Sequence, residues 1–583
     1  MAEHDALYGL RHSAAHMLAA AILKLYPGTK LGTGPVVENG FYYDVLPSNP
    51  ITEEDLPKIE AVMREIIAGD HPFVRKPVTA AEAKAFFQDQ PFKQELVEKF
   101  SADGRDLTLY ASGPFTDLCE GNHAENTKQL RSVGFQLSKL AGAYWQADQT
   151  RPQMTRIYGV LFNSPKELKQ YLHQIEEAKK RDHRKLGKEL DLFTFSELVG
   201  AGLPLFTPRG TIIRRELENY IAQLREQRGF QRVWIPHMAK SDLYKTSGHW
   251  DKFEDDLFHV HSKKTDATFV MKPMNCPHHT QIYASQKRSY KDLPIRFFET
   301  TTNYRDENTG QIQGLTRVRS LTQDDSHVFA RVDQIQQEAE LAQDIITELY
   351  SKFGLELRPR FSTHDPAHME NYLGTEEAWQ NSESILRAVM ESKGLTYVVG
   401  LGEAAFYGPK IDYMAVDSLG REWQLATIQL DVNQPERFDL TYTSAEGKEE
   451  RPVMIHVAVM GSVERFMGVI IEHFAGNFPT WLAPAQAKLL PVSDAHIAYA
   501  QEVKTQLQAA GIRVEVDEAS ETVGNKIRKA VSEKVPYLVV VGEKEIEAKA
   551  VAVRKRGSKD TVTLAVTDFI AQVQTDITTK AIW

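Results

Sequence analysis

Apolar residues recur along the chain in four textures, and each predicts its own elements. Residues 1 to about 175 open on "MAEHDALYGLRHSAAHMLAAAILK", whose pattern predicts an amphipathic helix, and continue through turn-rich stretches such as "GTGPVVENGFYYD" (32–44). A charged, glycine-poor segment follows, "EEAKKRDHRKLGKELDLF" (176–193), and reads as a linker helix over 176–190. From 191 to 483 the strand-like runs "RVWIPHM", "IRFFETTTNYR", "DYMAVD", "EWQLATIQLDV" and "VMIHVAVMG" alternate with helices such as "RVDQIQQEAELAQDIITELYSKF". Their irregular, strand-rich order predicts an antiparallel α+β sheet rather than a doubly wound one. Beyond the proline-marked junction "FPTWLAPAQ" (478–486), the β-branched runs "AKLLPVS", "IRVEVD", "PYLVVVG" and "AVAVRKRG" predict a small α/β domain over 484–583 with a mostly parallel, buried sheet. No repeat or low-complexity tract interrupts this order.

Length and composition fit that division. A chain of 583 residues has room for three or four domains, and 42% hydrophobic with 25% charged residues is ordinary for a globular protein. Two cysteines, Cys119 and Cys276, cannot build a disulfide framework, so a reducing compartment is expected. The start lacks a basic region before its apolar stretch, and no run approaches the roughly 18 apolar residues of a membrane span. A soluble, cytoplasmic protein without membrane partners is expected. The net charge of −10 argues against a protein that coats nucleic acid over its whole surface, but permits local basic patches, of which 176–193 is a candidate. A solvated helix explains that segment equally well.

Several side chains carry candidate chemistry. His12 and His16 are four apart and share a helix face, and Cys119 and His123 repeat the spacing just after Asp117. Together they supply either a four-ligand metal site or a hydrolytic pocket; singly, each pair reads as satisfied or solvent-facing. In "TTTNYRDENTGQIQGLTRVRSLTQDDSHVF" (300–329), Arg305 and Glu307 end one strand, while Arg317 and Arg319 alternate along an expected second strand. Arg465 follows a Gly-Ser turn at the start of a helix. Arginines gathered on one sheet face suit a polyphosphate or carboxylate. Cys276, His327 and His456 are a candidate three-ligand zinc set that leaves a coordination position open, although their wide spacing does not establish it.

The strings "MKPMNCP", "GLTRVRSLTQDDSH", "GEAAFYGPKID" and "GSVERF…EHFAGNFPTWLAP" resemble the threonyl-tRNA synthetase family of class II, and "RHSAAH", "NGFYYD", "DLCEGNH" and "GAYW" resemble its editing domain. The resemblance covers essentially the whole chain, except that the family's small N-terminal ubiquitin-like domain is expected to be missing. It implies a multidomain α+β protein: an editing domain (1–175), a linker helix (176–190), a class II antiparallel-sheet catalytic domain (191–483) and an anticodon-binding domain (484–583). It implies that L-threonine is activated with ATP and Mg²⁺ and transferred to tRNA(Thr), and that mischarged seryl-tRNA is hydrolysed. Arg305 and Glu307 would contact the α-phosphate and the adenine side of ATP, with Arg317 on the nucleotide and Arg465 on the terminal phosphates. Cys276, His327 and His456 would hold one Zn²⁺ per subunit. Asp325 would receive the substrate hydroxyl, Gln323, Tyr407, Lys410 and Gln424 would line the pocket, and His249 would help deprotonate the tRNA ribose.

In the editing pocket the resemblance places His12, His16, Asp117, Cys119 and His123, with Lys93 and Tyr43, and leaves open metal binding or metal-free, water-mediated hydrolysis; the second is favoured. Lys534, Glu545 and Arg554 would meet the anticodon. A homodimer is implied by the motif 1 form of "RRELENYIAQLREQRGFQRVWIPHM" (214–238). Departures stand at His278, Ala404, Ala426 and Val457, and at Gln146-Ala147. Two other readings compete: a non-catalytic RNA-binding protein, which should have lost Arg305, Arg465 or a zinc ligand, and an alanyl enzyme, whose catalytic strings would differ.

Overall fold

The computed structural model describes residues 7–583, in two compact units, Met1–Glu176 and Glu177–Trp583. In the first unit, helix α1 (Tyr8–Leu25) is not amphipathic: it is buried on every side from Ser13 to Ile22. Its small alanines present no bulky or charged face, so neighbours close around it. Strand β1 (Gly40–Leu46) and helix α2 (Leu56–Ala68) share its core through Met17, Leu18, Phe41, Val45, Ile59 and Met63. Helix α3 (Pro91–Ala102) precedes the hairpin β2 (Thr108–Ser112) and β3 (Phe115–Leu118). Strands β4 (Gly134–Tyr144) and β5 (Gln153–Phe162) complete an antiparallel sheet on β1. Residues 1–6, the beginning of the stretch read for a leader, lie outside the described part.

The charged segment is helical but divided. Helix α4 (Pro165–Arg181) begins well before residue 176 and carries no buried residue. Asp182 leaves helical geometry and accepts the Arg184 N–H at 2.8 Å, starting helix α5 (His183–Glu189). His183, Leu186 and Gly187 are buried, so this second half belongs to the core of the second unit and is no solvated linker.

That unit is built on an eight-stranded sheet. Helix α6 (Pro208–Glu226) packs on it. The segment 232–238 is a strand only at its margins, Gln231–Arg232 and Met238–Lys240, with Pro236 between them. Helix α7 (Cys276–Ala284) leads to β6 (Ile295–Tyr304) and β7 (Ser320–Ala330). Arg317 and Arg319 therefore sit in the loop before β7, not along it. After α8 (Ile335–Ser351) come β8 (Glu356–Thr363), β9 (Lys410–Val416), β10 (Glu422–Asp431), β11 (Val453–Ser462) and helix α9 (Val463–His473). The central order β6-β7-β11-β10-β9-β8 is antiparallel throughout.

Alternation gives this sheet two unlike faces. Phe298, Val328, Ile455, Ile428 and Ile411 pack against α6, α8 and α9. On the opposite face, register lines up His327, His456, Gln429 and Lys410 in one row and Asp325, Ala458, Thr427 and Asp412 in the next. Such cross-strand neighbours stand roughly 5 Å apart.

The chain ends in a five-stranded sheet of β12 (Ala487–Pro491), β13 (Val514–Val516), β14 (Tyr537–Val541), β15 (Ala550–Lys555) and β16 (Val562–Ala565). It is mixed rather than mostly parallel: β12 runs parallel to β13 and β14, but β14 with β15 and β15 with β16 are antiparallel.

Candidate functional site

The polar face of the large sheet opens into a cavity of about 590 Å³. It is lined by Arg305, Glu307, Arg317 and Arg465, by His249, Gln323, Asp325, Tyr407, Lys410 and Gln424, and by Cys276, His327 and His456. Every candidate named between residues 249 and 465 except Arg319 thus reaches one space, from segments far apart in sequence.

At one end, donor atoms of Cys276, His327 and His456 lie within 4.8 Å of one another. Cys276 opens α7, where Pro277 suits the first turn, and the two histidines are partners across β7 and β11. Each histidine has an orienting contact that spacing did not reveal. The His279 and His327 Nδ1 atoms are 2.7 Å apart, and His456 Nε2 meets Asp431 at 3.0 Å. A thiol and two imidazoles are the donor set that zinc prefers, and ligating histidines are normally held by just such partners. His278 and His279 remain outside the ligand group, but His279 stands directly behind it.

At the other end, three guanidinium groups face one carboxylate. Arg317 Nε donates to Glu307 at 2.8 Å, and Arg465 Nε donates to the Thr316 carbonyl at 3.0 Å. Burial, and after it the charges of Arg305 and Arg317, holds Arg465 below the usual arginine range. Arg305 is lowered by burial too. This cationic excess is what a polyanion would relieve. Arg319, grouped with these residues from the sequence, is turned to structural work: its N–H donates to the Gly202 carbonyl at 2.8 Å and its Nε to the Glu307 carbonyl at 3.0 Å.

Between the two ends, Asp412 is the hub that the sequence reading missed. Its carboxylate accepts from Lys410 at 2.6 Å, Gln424 at 2.7 Å, Thr427 at 2.9 Å and Ser362 at 2.8 Å. Two-residue alternation from Lys410 was the signal that could have found it. Asn275 donates to Asp325 at 3.0 Å and Asn303 to Gln323 at 3.0 Å, fixing both acceptors. Buried Lys272, its pKa lowered by burial to about 8, donates in turn to Asn275 at 2.9 Å. His249 Nδ1 meets Ser247 at 2.8 Å and its Nε2 has no partner. Burial lowers its pKa to about 4, so the ring is neutral at pH 7, with Nε2 unoccupied.

The first unit holds a second constellation. His12 Nδ1–H donates to the Gly121 carbonyl at 2.9 Å, and Cys119 Sγ lies 3.4 Å from His12 Nε2 and 3.2 Å from His123 Nε2. His16 completes a group whose ligand atoms are within 4.8 Å of one another. Burial pushes the Cys119 thiol up to about 12 and all three imidazoles below their usual value, so the cluster is neutral. Beside it, Lys93 Nζ lies 2.5 Å from Asp117 and donates to the Tyr43 hydroxyl at 3.0 Å, and that hydroxyl donates to Asp117. All seven candidates of this region therefore meet.

The three candidates near the C-terminus do not form such a group. Lys534 precedes β14, at φ +60, with its carbonyl accepting from Arg556. Glu545 lies beyond the other end of that strand, where it accepts the Gly542 N–H at 3.0 Å, and Arg554 stands on β15 opposite Leu538.

The chain is similar to known proteins over nearly its whole length. Residues 258–474 match the class II tRNA synthetase core domain (G, H, P, S and T), and residues 486–576 match the anticodon binding domain. A threonine–tRNA ligase of Gloeobacter violaceus is 47% identical over 98% of this chain and 92% of its own length. One of Chloroherpeton thalassium is 46% identical over 100% of this chain and 89% of its own. The crystal structure of the RNA binding domain of threonyl-tRNA synthetase from Cryptosporidium parvum is similar with a TM-score of 0.65 and 36% identity, covering 68% of this chain and 98% of that one.

Proposed function

Because the chain belongs to the threonine–tRNA ligase family of class II synthetases, we propose that its large cavity activates L-threonine on ATP and passes it to tRNA(Thr), through the residues gathered there. The observation that carries this division of labour is the cavity's polarity: a soft N₂S donor set at one end and an arginine cluster at the other. Threonine's carboxylate oxygen attacks the α-phosphorus of Mg²⁺-bound ATP in line, diphosphate leaves, and Arg305, Arg317 and Arg465 share the charge that develops. Lys410 and Gln424, both anchored on Asp412, orient the carboxylate, and Asp325, fixed by Asn275, accepts from the substrate hydroxyl. Neutral His249 then takes the ribose hydroxyl proton as that oxygen attacks the adenylate carbonyl and AMP departs.

Cys276, His327 and His456 suit Zn²⁺, held in place by the His279 and Asp431 contacts. When bound, zinc offers open positions to the amino and hydroxyl groups of threonine, a templating rather than hydrolytic role. Valine lacks the hydroxyl, and a site built around such a group rejects the analogue by roughly 10⁴. The expected result is ATP–pyrophosphate exchange driven by threonine and not by valine, with Cys276→Ser lowering bound zinc and exchange together. Exchange that survives zinc loss would refute the template role.

Serine keeps both ligating groups and lacks one methyl, worth only about 1–3 kcal/mol. The constellation of the first unit supplies the second sieve that this calls for. With the Lys93–Asp117 pair beside its histidines and thiol, the metal-free reading is favoured: these groups position a water against the seryl ester. The mixed sheet after residue 486 would read the anticodon, with Lys534, Glu545 and Arg554 as candidate contacts. A homodimer is supported by Trp234 and Met238, which remain 77% and 46% exposed in the motif 1 segment; sedimentation equilibrium is its direct measurement. Among the described residues no helix is long and apolar enough to cross a membrane.

A further inference from the structure

Asp182, His183 and Glu472 have the spacing of a metal site, yet their hydrogen bonds describe a different device. The His183 N–H donates to Glu472 Oε1 at 2.9 Å, and Nδ1 of the same residue meets that oxygen at 2.6 Å. Its Nε2 accepts the Leu315 N–H at 3.0 Å. The ring is therefore the Nδ1–H tautomer with both nitrogens spent, leaving none for an ion. The second carboxylate oxygen of Glu472 takes Arg421 at 2.6 Å, so the acid is held on both sides.

Leu315 lies in the loop before β7 that carries Arg317. Its neighbour Thr316 supplies the carbonyl that receives Arg465 Nε. Gly314 sits at φ +52, where an added Cβ would come within 2.3 Å of His183 Nε2. The loop thus approaches the imidazole as closely as a glycine permits. The loop is also held at Thr316 by Arg465, at Arg319 by its N–H bond to the Gly202 carbonyl, and by burial of the Leu315 side chain. Thr316 N–H to Gln313 and Gln313 N–H to Arg317 are internal; at the 314–315 turn itself the His183 bond is the polar tie to the scaffold.

We infer that His183 is a positioning residue for ATP: by accepting the Leu315 N–H it moors the 313–319 loop between α5 and α9 and so places Arg317 and Arg465. The inference rests on the proposed nucleotide end of the cavity. The acceptor at Nε2 carries the effect, and the donor at Nδ1 only fixes the ring. Two substitutions in the full chain separate these functions. In His183→Asn the amide reaches Glu472 but falls short of Leu315. In His183→Gln the amide oxygen reaches Leu315 and the Glu472 bond is lost.

The expected result in ATP–pyrophosphate exchange is a KM for ATP raised about tenfold in the Asn variant, the size of one lost buried hydrogen bond. The KM for threonine stays within about twofold, and the Gln variant keeps an ATP KM near that of the unaltered chain. An unchanged ATP KM in the Asn variant, parallel rises for both substrates, or equal loss in the Gln variant overturns the inference. Should the Asn variant not fold, hydrogen exchange across 313–319 decides: protection retained in the Gln variant supports the mooring, and its loss refutes it. Failure of the ligase reading itself shows separately, as absent threonine-dependent exchange in the unaltered chain.

Discussion

His278 shows how much one buried side chain can cost. It is 8% exposed, neither ring nitrogen has a partner, and Tyr244 is its aromatic neighbour. Burial, and after it the charge of Lys272, lowers its pKa to about 4. In the unfolded chain the same ring titrates near 6.5. Between these values the unfolded state binds more protons, so stability must fall as pH drops from about 6.5 to about 4, by about 3 kcal/mol for this one group. Urea unfolding across that range should therefore show one proton fewer taken up on unfolding in His278→Asn than in the unaltered chain. Equal slopes for the two proteins would show that the ring is not held neutral. The same comparison separates His278 from Cys276 two positions away, whose substitution is expected to change metal content instead.

At the scale of elements, the pair Asp324-Asp325 displays what a strand does with adjacent acids. Asp325 faces the cavity, while Asp324 points into the core side, where the ladder between β7 and β11 is interrupted. The Asp324 carboxylate fills that gap, accepting the N–H groups of Val459, Met460 and Gly461 at 3.0–3.2 Å. Arg225, fully buried on α6, stands 3.5 Å from it and donates to its carbonyl at 2.9 Å. Asp324→Ala should destabilise the protein by about 3–5 kcal/mol, because it strands a buried guanidinium and three amides. Asp325→Asn should change stability by less than about 1 kcal/mol and abolish threonine activation. Thermal unfolding beside amino-acid-dependent exchange tests both; comparable stability losses would mean the two acids are not divided between faces. Much of this layout was legible beforehand, because period-two runs place strands and long family-like strings place Arg317, Arg465, Cys276 and His327. The rest was not legible, for physical reasons. Arg317 and Arg319 alternate like strand residues, but Gly314 and the His183 bond hold their segment as a loop. Asp412 and Asp431 look like ordinary alternating positions until cross-strand register shows which side chains they anchor. The alanines of α1 mimic an amphipathic helix because small residues tolerate burial on any face.

On the scale of the whole molecule, the two constellations occur in units with separate hydrophobic cores. One is centred on α1 and β1, and the other on the faces of α6, α8 and α9 beneath the large sheet. Selection by a single cavity leaves serine only about 1–3 kcal/mol behind threonine, which is a discrimination of about 10–200-fold. In the proposed division of labour, hydrolysis in the first unit supplies the remainder. His12→Ala removes the imidazole whose Nδ1–H is fixed on Gly121 and whose Nε2 faces Cys119, while leaving the large cavity unchanged. Threonine-dependent exchange should then match that of the unaltered chain, and seryl-tRNA(Thr) should accumulate where the unaltered chain clears it. Lys93→Met should do the same, although removing one partner of a buried pair also lowers the stability of the first unit by about 3–5 kcal/mol. A chain limited to 177–583 carries the large cavity whole, so it should charge threonine and retain seryl-tRNA like the His12 variant. If the unaltered chain itself leaves seryl-tRNA intact, the first unit does not edit, and the Gln146-Ala147 turn, with both residues at positive φ, becomes the first place to look for the cause.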